Sequence, residues 1–395
     1  MRFFKNNGFL NRIRKISNFI SYFIRAEKRW SWPSKSDVLI FDACGEELLR
    51  EYLLESSMEV LPVRGEWINI PVVLASLFVP GRKSDAYFDV YIRKVHPKLI
   101  ITFIDNSLAF CRLSQRHTCI KTMFIQNGWR GYHADIFEQL DMQVNSTHNL
   151  SVDYMLCFGS AVGRHYQRYI SGLVIPMGSL RNNRQIHLAP KIKNSLAYVS
   201  QWLRHGIQMG SRSYSQDEFI GVADRNIVGF LGEYAREKSK HLFIIPRSKF
   251  GSPDRADEAE YFASILGEAC HFLEYDSSGS SYKAIDAAEV VVGVDSTLLY
   301  ESIARGTKTA IFSIRGNITN VNGFDFGWPA YRSPVGSFWT NTPSHVKYRE
   351  VLDFLFGISV KDWRDELNKA SFTDLMIMDL GNSILKKIIT QVLAT

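Results

Sequence analysis

KAIDAAEVVVGVDSTLLYESIARGTKTAIFSIR, residues 283–315, is the stretch that decides the fold. Its apolar run, residues 290–294, is short and β-branched, which fits a buried parallel strand. The run stops at Asp295, Ser296 and Thr297, where small hydroxyls can cap a helix. Leu298, Leu299, Ser302 and Ile303 recur at helical spacing, Gly306 stands where a C-terminal cap belongs, and residues 309–314 read as the next strand. This is a strand-helix-strand unit. In such units ligands sit beyond the carboxyl ends of the strands, and free N–H groups at the helix start attract phosphate. Ser296 and Thr297 stand at that start. Glu301, four residues after Thr297, is within a turn's reach of the hydroxyls of a ribose whose phosphate is held there. The same spacing also fits a plain Ser/Thr cap followed by a solvated Glu.

Working outward, 395 residues are enough for two domains, each with its own core. A hydrophobic content of 46%, with 22% charged and 13% aromatic residues, excludes a disordered chain. Charge is uneven: residues 1–36 hold nine Lys or Arg against one acid, and the remainder is near neutral. No basic stripe interleaved with aromatics follows, so nucleic acid is not an expected partner. Five cysteines without a CxxC pair read as reduced, packed thiols of a cytoplasmic protein. No apolar run approaches the ~20 residues that cross a bilayer, and Arg12, Arg14 and Lys15 interrupt what a secretory signal would keep apolar. Over residues 11–25, Ile13, Ile16, Phe19, Ile20, Phe23 and Ile24 share one helical face, with Arg12, Arg14, Lys15 and Arg25 around it. Such a basic amphipathic segment suits an anionic membrane surface, and equally a helix docked on its own domain.

Strand after strand ends in a polar or glycine-rich loop: residues 37–41, 59–63, 99–104, 122–125, 154–158 and 173–176, then 196–200, 242–245 and 271–275 ahead of the opening unit. Helices are expected over 47–54, 87–95, 216–234, 258–269, 348–356 and 382–393. The expectation is an α/β protein of two Rossmann-like doubly wound halves facing across a cleft. The boundaries are 1–36 for the basic segment, 37–190 and 191–345 for the two halves, and 346–395 for C-terminal helices. Residues 254–260, DRADEAE, read as a solvated helix start.

Several motifs carry a family resemblance: DSTLLYESIARG (295–306), FIQNGWRG (124–131), VRGEWIN (63–69), ITFIDN (101–106), FGWP (326–329) and FWTN (338–341). Together they resemble the bacterial surface carbohydrate biosynthesis proteins of lipopolysaccharide and O-antigen assembly, which look like GT-B glycosyltransferases. The STxxYExxxxG element is also similar to the donor-site helix of capsule-type transferases, including users of CMP-activated ulosonic acids. That resemblance implies a Ser296/Thr297 contact to donor phosphate and a Glu301 contact to ribose. It also implies C-terminal helices that cross back onto the first half.

Glycosyl transfer needs a proton acceptor for the incoming hydroxyl, donors that neutralise the departing phosphate, and a cleft that positions both substrates. Arg247 and Lys249 follow a strand end, and Ser280, Ser281 and Tyr282 occupy a loop near the same edge, so these are the further donor nucleotide and phosphate candidates. Each of them alone also reads as a surface residue. Asp105 and Glu66 closely follow apolar strands of the first half and are the catalytic candidates. The other readings are an Asx-turn or cap for Asp105 and a salt bridge to Arg64 for Glu66. Asn127, Trp129 and Arg130 are candidate acceptor or sugar contacts, Trp129 by stacking and Arg130 by gripping a carboxylate. His133, His165 and His205 lack zinc spacing; no metal site and no cofactor is expected.

The function expected is transfer of a sugar from a nucleotide-activated donor, a CMP-sugar by analogy, to a lipid-linked glycan acceptor. The location expected is peripheral on the inner face of the bacterial inner membrane, held through residues 1–30. A UDP-sugar 2-epimerase-like isomerase and a non-catalytic assembly partner are the alternatives.

Overall fold

The computed structural model describes residues 24–394 except 55, 133–134, 144–149, 187–188, 210–211, 276–278, 322 and 331. Most of the basic N-terminal segment, with the membrane reading placed on it, and His133 therefore lie outside the described residues. The first sheet is built from β1 (Val38–Phe41), β2 (Met58–Leu61), β3 (Leu99–Thr102), β4 (Lys121–Ile125), β5 (Leu150–Cys157) and β6 (Ile170–Pro176). They lie in the order β2-β1-β3-β4-β5-β6, all parallel. The second comprises β7 (Ile192–Val199), β8 (His241–Ile245), β9 (Ala288–Gly293), β10 (Lys308–Phe312) and β11 (Trp339–Thr340), ordered β8-β7-β9-β10-β11 and again parallel. Counted from their own first strands, the sheets thus run 2-1-3-4-5-6 and 2-1-3-4-5. That order creates a switch point between the first and third strands, where a crevice opens at the carboxyl edge.

Alternation along each strand divides the first half between two cores. Leu39, Phe41, Ile100 and Phe124 face one side with Tyr91, Val95, Phe137 and Tyr166, contributed by helices Lys83–Val95, Ile136–Gln143 and Ser160–Tyr166. Val38, Ile40, Leu99, Ile101, Met123 and Ile125 face the other, under Leu385, Ile388, Ile389 and Val392 of helix Ser383–Ala394. In the second half, helix Gln216–Glu237 starts on a full capping box from Ser215 and Glu218 and buries Ile227, Leu231 and Tyr234 against β7 and β8.

The C-terminal helices divide in a way the sequence reading did not foresee. Helices His345–Gly357 and Val360–Lys369 bury Tyr348, Leu352, Leu355 and Trp363 in the second core, so the expectation that residues 346–395 as a block pack on the first half is corrected. The last helix, Ser383–Ala394, does return there, its apolar stripe completing a sheet face on which Leu49 and Leu180 of two short earlier helices also pack. The expected strand over 271–275 shrinks to a single bridge between Phe272 and Ile244. Residues 254–260 are also not simply solvated: helix Asp254–Leu266 carries Glu258 into the interior with no exposed surface.

Candidate functional site

The opening strand-helix-strand unit forms as its spacing predicts. Ser296 caps helix Thr297–Ala304 by accepting from the Leu298 N–H, and the helix ends in a Schellman turn, with Gly306 at φ +86° and the Thr307 N–H donating to Ser302 O. Its first residue does not stand alone. The Trp129 N–H donates to Thr297 Oγ1 at 2.8 Å, and the Trp129 indole stacks on Tyr300 with centroids 3.5 Å apart. The loop after β4 therefore sits on the helix start across the cleft. Trp129, expected to stack on a sugar, spends one face on Tyr300.

That loop is pinned from beneath. Asp105 has no exposed surface and accepts from Arg130 Nε (2.8 Å), Arg130 Nη2 (2.5 Å), Tyr166 OH (2.7 Å) and the Asn127 N–H (3.2 Å). The remaining Arg130 nitrogen faces Asp135 at 3.4 Å, and Asn127 Oδ1 takes a further bond from Nη2. A carboxylate saturated in this way does not fit the expectation of a free proton acceptor, and an arginine held at every nitrogen does not fit a free carboxylate grip. Glu66 differs: it is exposed, its carboxylate receives the Arg64 N–H, and the Arg64 guanidinium pairs instead with Asp42 at 2.7 Å. Glu66 sits on the loop after edge strand β2 and does not line the cleft cavity.

The cleft cavity, ≈ 350 Å³, is bounded by Trp129, Arg130 and Asp135 from the first half and by Phe219, Asp295 and Arg315 from the second. Arg315 is almost completely buried, binds both oxygens of Asp295 through Nη1 at 2.7 Å, and reaches Gln201 Oε1. Its Nε has no hydrogen-bond partner among the described residues. Asp295 and Gln201 follow β9 and β7, the two strands that define the second switch point. The sequence reading assigned no role to Arg315; its place just after β10, closing the quoted stretch, was the available signal.

A second cavity, ≈ 640 Å³, opens at the carboxyl end of β8. Arg247, Lys249, Ser280, Ser281 and Tyr282, residues more than thirty positions apart in the chain, all line it. Glu258, outside the lining, holds the Arg247–Ser248 loop, accepting from Ser200 Oγ (2.5 Å), from the N–H groups of Arg247 (3.0 Å) and Ser248 (2.9 Å), and from Ser248 Oγ. Arg247 donates to Gln201 O, so Gln201 links Arg247 of this cavity to Arg315 of the cleft cavity, and burial pulls the Arg247 guanidinium below its usual range. Helix Ser280–Ala287 points its amino end at the cavity, Ser280 Oγ accepting from the Tyr275 N–H. Arg255, which the sequence reading passed over, also lines it. Its Nη2 binds Ser248 O and Glu274, while Nε and Nη1 have no hydrogen-bond partner among the described residues. Guanidinium groups, an ammonium, two hydroxyls and a helix start in one recess favour a phosphorylated ligand.

Glu301 lies behind this wall rather than in it. Ser179 Oγ donates to its carboxyl at 2.5 Å and Tyr282 OH at 3.1 Å, and burial pushes the group up to about 7 against those two bonds. Glu301, expected to reach a ribose, contacts Tyr282, which itself reaches the cavity. Arg305, the C-cap of the same helix, binds Asp286 at 2.5 and 2.8 Å and Asn182 Oδ1 at 3.1 Å, tying the two halves together beside it. Among the described residues, no three His, Cys, Asp or Glu side chains gather as metal ligands.

Solved structures share this architecture at low sequence identity. A glycosyltransferase from Rickettsia africae ESF-5 is similar with TM-score 0.50 and 12% identity over 91% of this chain and 99% of that one. The wall teichoic acid polymerase TagF gives TM-score 0.49 and 9% identity over 99% of both chains. A structure described as a putative UDP-N-acetylglucosamine 2-epimerase from Listeria monocytogenes gives TM-score 0.49 and 11% identity over 91% and 96%. Likeness at such identity is of fold alone. No curated protein matches the sequence. Residues 123–393, from within β4 to the final helix and so over both the cleft loop and the β8 cavity, match a family described as "putative O-antigen biosynthesis protein", and it is to this O-antigen biosynthesis family that the chain belongs.

Proposed function

We propose that the chain is a glycosyltransferase of surface polysaccharide assembly, moving a sugar from a nucleotide-activated donor to a glycan acceptor. One observation carries the reading: five residues singled out as donor contacts line a single phosphate-suited cavity at the carboxyl edge of the second sheet. In this proposal residues 191–345 form the donor half and 37–190 the acceptor half. Arg247, Lys249 and Arg255 neutralise the donor phosphates, the Ser280 and Ser281 hydroxyls orient them, and Tyr282, fixed from behind by Glu301, forms the wall beside the nucleoside. Neutralisation by fixed cations does what a leaving group needs, since charge accumulates on phosphate as the glycosidic bond breaks. Resemblance of the STxxYExxxxG element to ulosonic-acid transferases favours CMP as the nucleotide. A lipid-linked acceptor, the inner face of the inner membrane and attachment through residues 1–30 complete the proposal.

Thermal unfolding of the purified protein against CMP, CDP, UDP and GDP tests it. A nucleotide at about a hundred times its dissociation constant stabilises the fold by ~2.7 kcal/mol. CMP is expected to do so, and Arg247→Ala to abolish the response. A response to UDP alone overturns the CMP assignment and turns the reading toward a UDP-sugar enzyme, the epimerase-like isomerase included. Silence toward every nucleotide overturns the transferase reading and leaves an assembly partner.

A further inference from the structure

Helix Ile70–Ser76 buries Ile70 and Val72 and turns its opposite side outward. Leu74 is 56% exposed, Leu77 57% and Phe78 89%, three large apolar side chains within five positions. Isolated exposed leucines are ordinary, whereas a contiguous apolar patch on a soluble domain marks an interaction surface. Behind the patch lies a mainly apolar recess of ≈ 660 Å³, bounded by Val63, Ile68, Val73, Leu77, Tyr87 and Phe88.

Strand Glu27–Arg29 pairs with Trp67–Asn69 at the foot of the same helix, and Ala26 packs on Ile68 and Ile70. The chain therefore arrives at this face from residues 1–23, which carry five Lys or Arg and no acid. Ile24 and Trp30, 68% and 75% exposed, flank the arrival, and Arg82 and Lys83, both exposed, begin the helix that closes the other side. Protruding Leu and Phe among Arg25, Lys28, Arg29, Arg82 and Lys83, which outnumber the exposed Glu27 and Glu66, match an anionic bilayer, whose interior takes the apolar side chains while its phosphates meet the cations.

We propose that the face formed by helix Ile70–Ser76, its exit through Leu77 and Phe78, and strand Glu27–Arg29 docks on an anionic lipid bilayer. It is a second, folded attachment beside the N-terminal segment, and rests on the membrane-side transferase reading. Because the recess lies next to the loop after β2, at the carboxyl edge of the first sheet, docking there turns the acceptor half toward the lipid headgroups.

Flotation of the full chain with phosphatidylcholine vesicles, with and without phosphatidylglycerol, tests it against Leu74→Ser/Leu77→Ser/Phe78→Ser and against Arg82→Glu/Lys83→Glu. Wild type is expected to float with the anionic vesicles. The triple variant should lose at least about tenfold in partition, and the charge variant should lose the part that added salt also removes. These side chains are exposed, so unchanged circular dichroism and melting are expected alongside. Undiminished flotation of the triple variant overturns the proposal, and loss only on deleting residues 1–23 assigns attachment to that segment alone. A wild-type dimer that the triple substitution converts to monomer, without vesicles, also overturns it by making a second copy the occupant. The nucleotide response is measured on the same samples: wild type that floats through this patch yet answers no nucleotide keeps the docking face and loses the transferase reading.

Discussion

Across the cleft, the Trp129 N–H donates to the hydroxyl oxygen of Thr297 at 2.8 Å, joining the loop after β4 to the helix start of the opposing half. Thr297→Val keeps the shape and removes the acceptor. It should lower stability by about 1–2 kcal/mol in urea unfolding, while Thr297→Ser stays near wild type. Equal loss in both variants would assign the effect to the threonine methyl instead.

Asp105 and Arg130 form a buried pair, and breaking one partner of such a pair leaves an uncompensated charge. Asp105→Ala is expected to cost about 3 kcal/mol or more, part of it recovered in Asp105→Ala/Arg130→Met. Sugar transfer should then fall only as far as the folded fraction falls. A variant that folds like wild type and transfers nothing would restore Asp105 as the proton acceptor.

Glu301 and Asp224 are buried carboxyls that burial pushes up to about 7 and about 6. Each folded-state value lies above that of the unfolded chain, so the native state holds more protons between the two, and stability falls as pH rises from about 4 to 7. Urea unfolding at successive pH values should show this slope. Glu301→Gln, which stays uncharged, should flatten its upper part and leave the portion belonging to Asp224. An unchanged slope in Glu301→Gln would mean that the carboxyl ionises as it does in the unfolded chain.

Arg247 and Lys249 reach the β8 cavity from a loop whose shape Glu258 sets. Arg247→Ala and Lys249→Ala should each weaken nucleotide binding by about tenfold or more with little change in melting, as loss of a charge-assisted bond predicts. Glu258→Ala should damage both, since four backbone and hydroxyl donors lose their acceptor. Calorimetric titration with CMP, set beside the melting curves, separates the two behaviours.

Local patterns gave away what was locally coded. The β-branched run before Asp295, the hydroxyl at Ser296 and the glycine at 306 determine a strand, a cap and a stop within twenty residues, and all three form. The grouping of Arg247 and Lys249 with Ser280 to Tyr282 was also legible, although the latter open a helix rather than occupy the expected loop. Partnership was not. Nothing near Asp105 announces that Arg130 and Tyr166 will consume its oxygens, and nothing near Glu301 announces Ser179. The acids of residues 254–260 look alike in sequence, yet Glu258 alone turns inward, because helix phase rather than composition selects it. The helices over 345–369 likewise carry no mark saying which of two sheets they cover.

The last helix gives the chain an order of assembly. Asn382 donates to the Tyr52 hydroxyl across 330 residues, and Leu385, Ile388 and Val392 cover strands made near the beginning. During synthesis one side of the first sheet has Leu49, Leu53 and Leu180 as cover but lacks the closing helix until residues 383–394 have been made. Loops of this length close slowly and leave unfinished surface open to aggregation. A chain cut short before residue 383 should therefore leave strands of the first sheet open to aggregation.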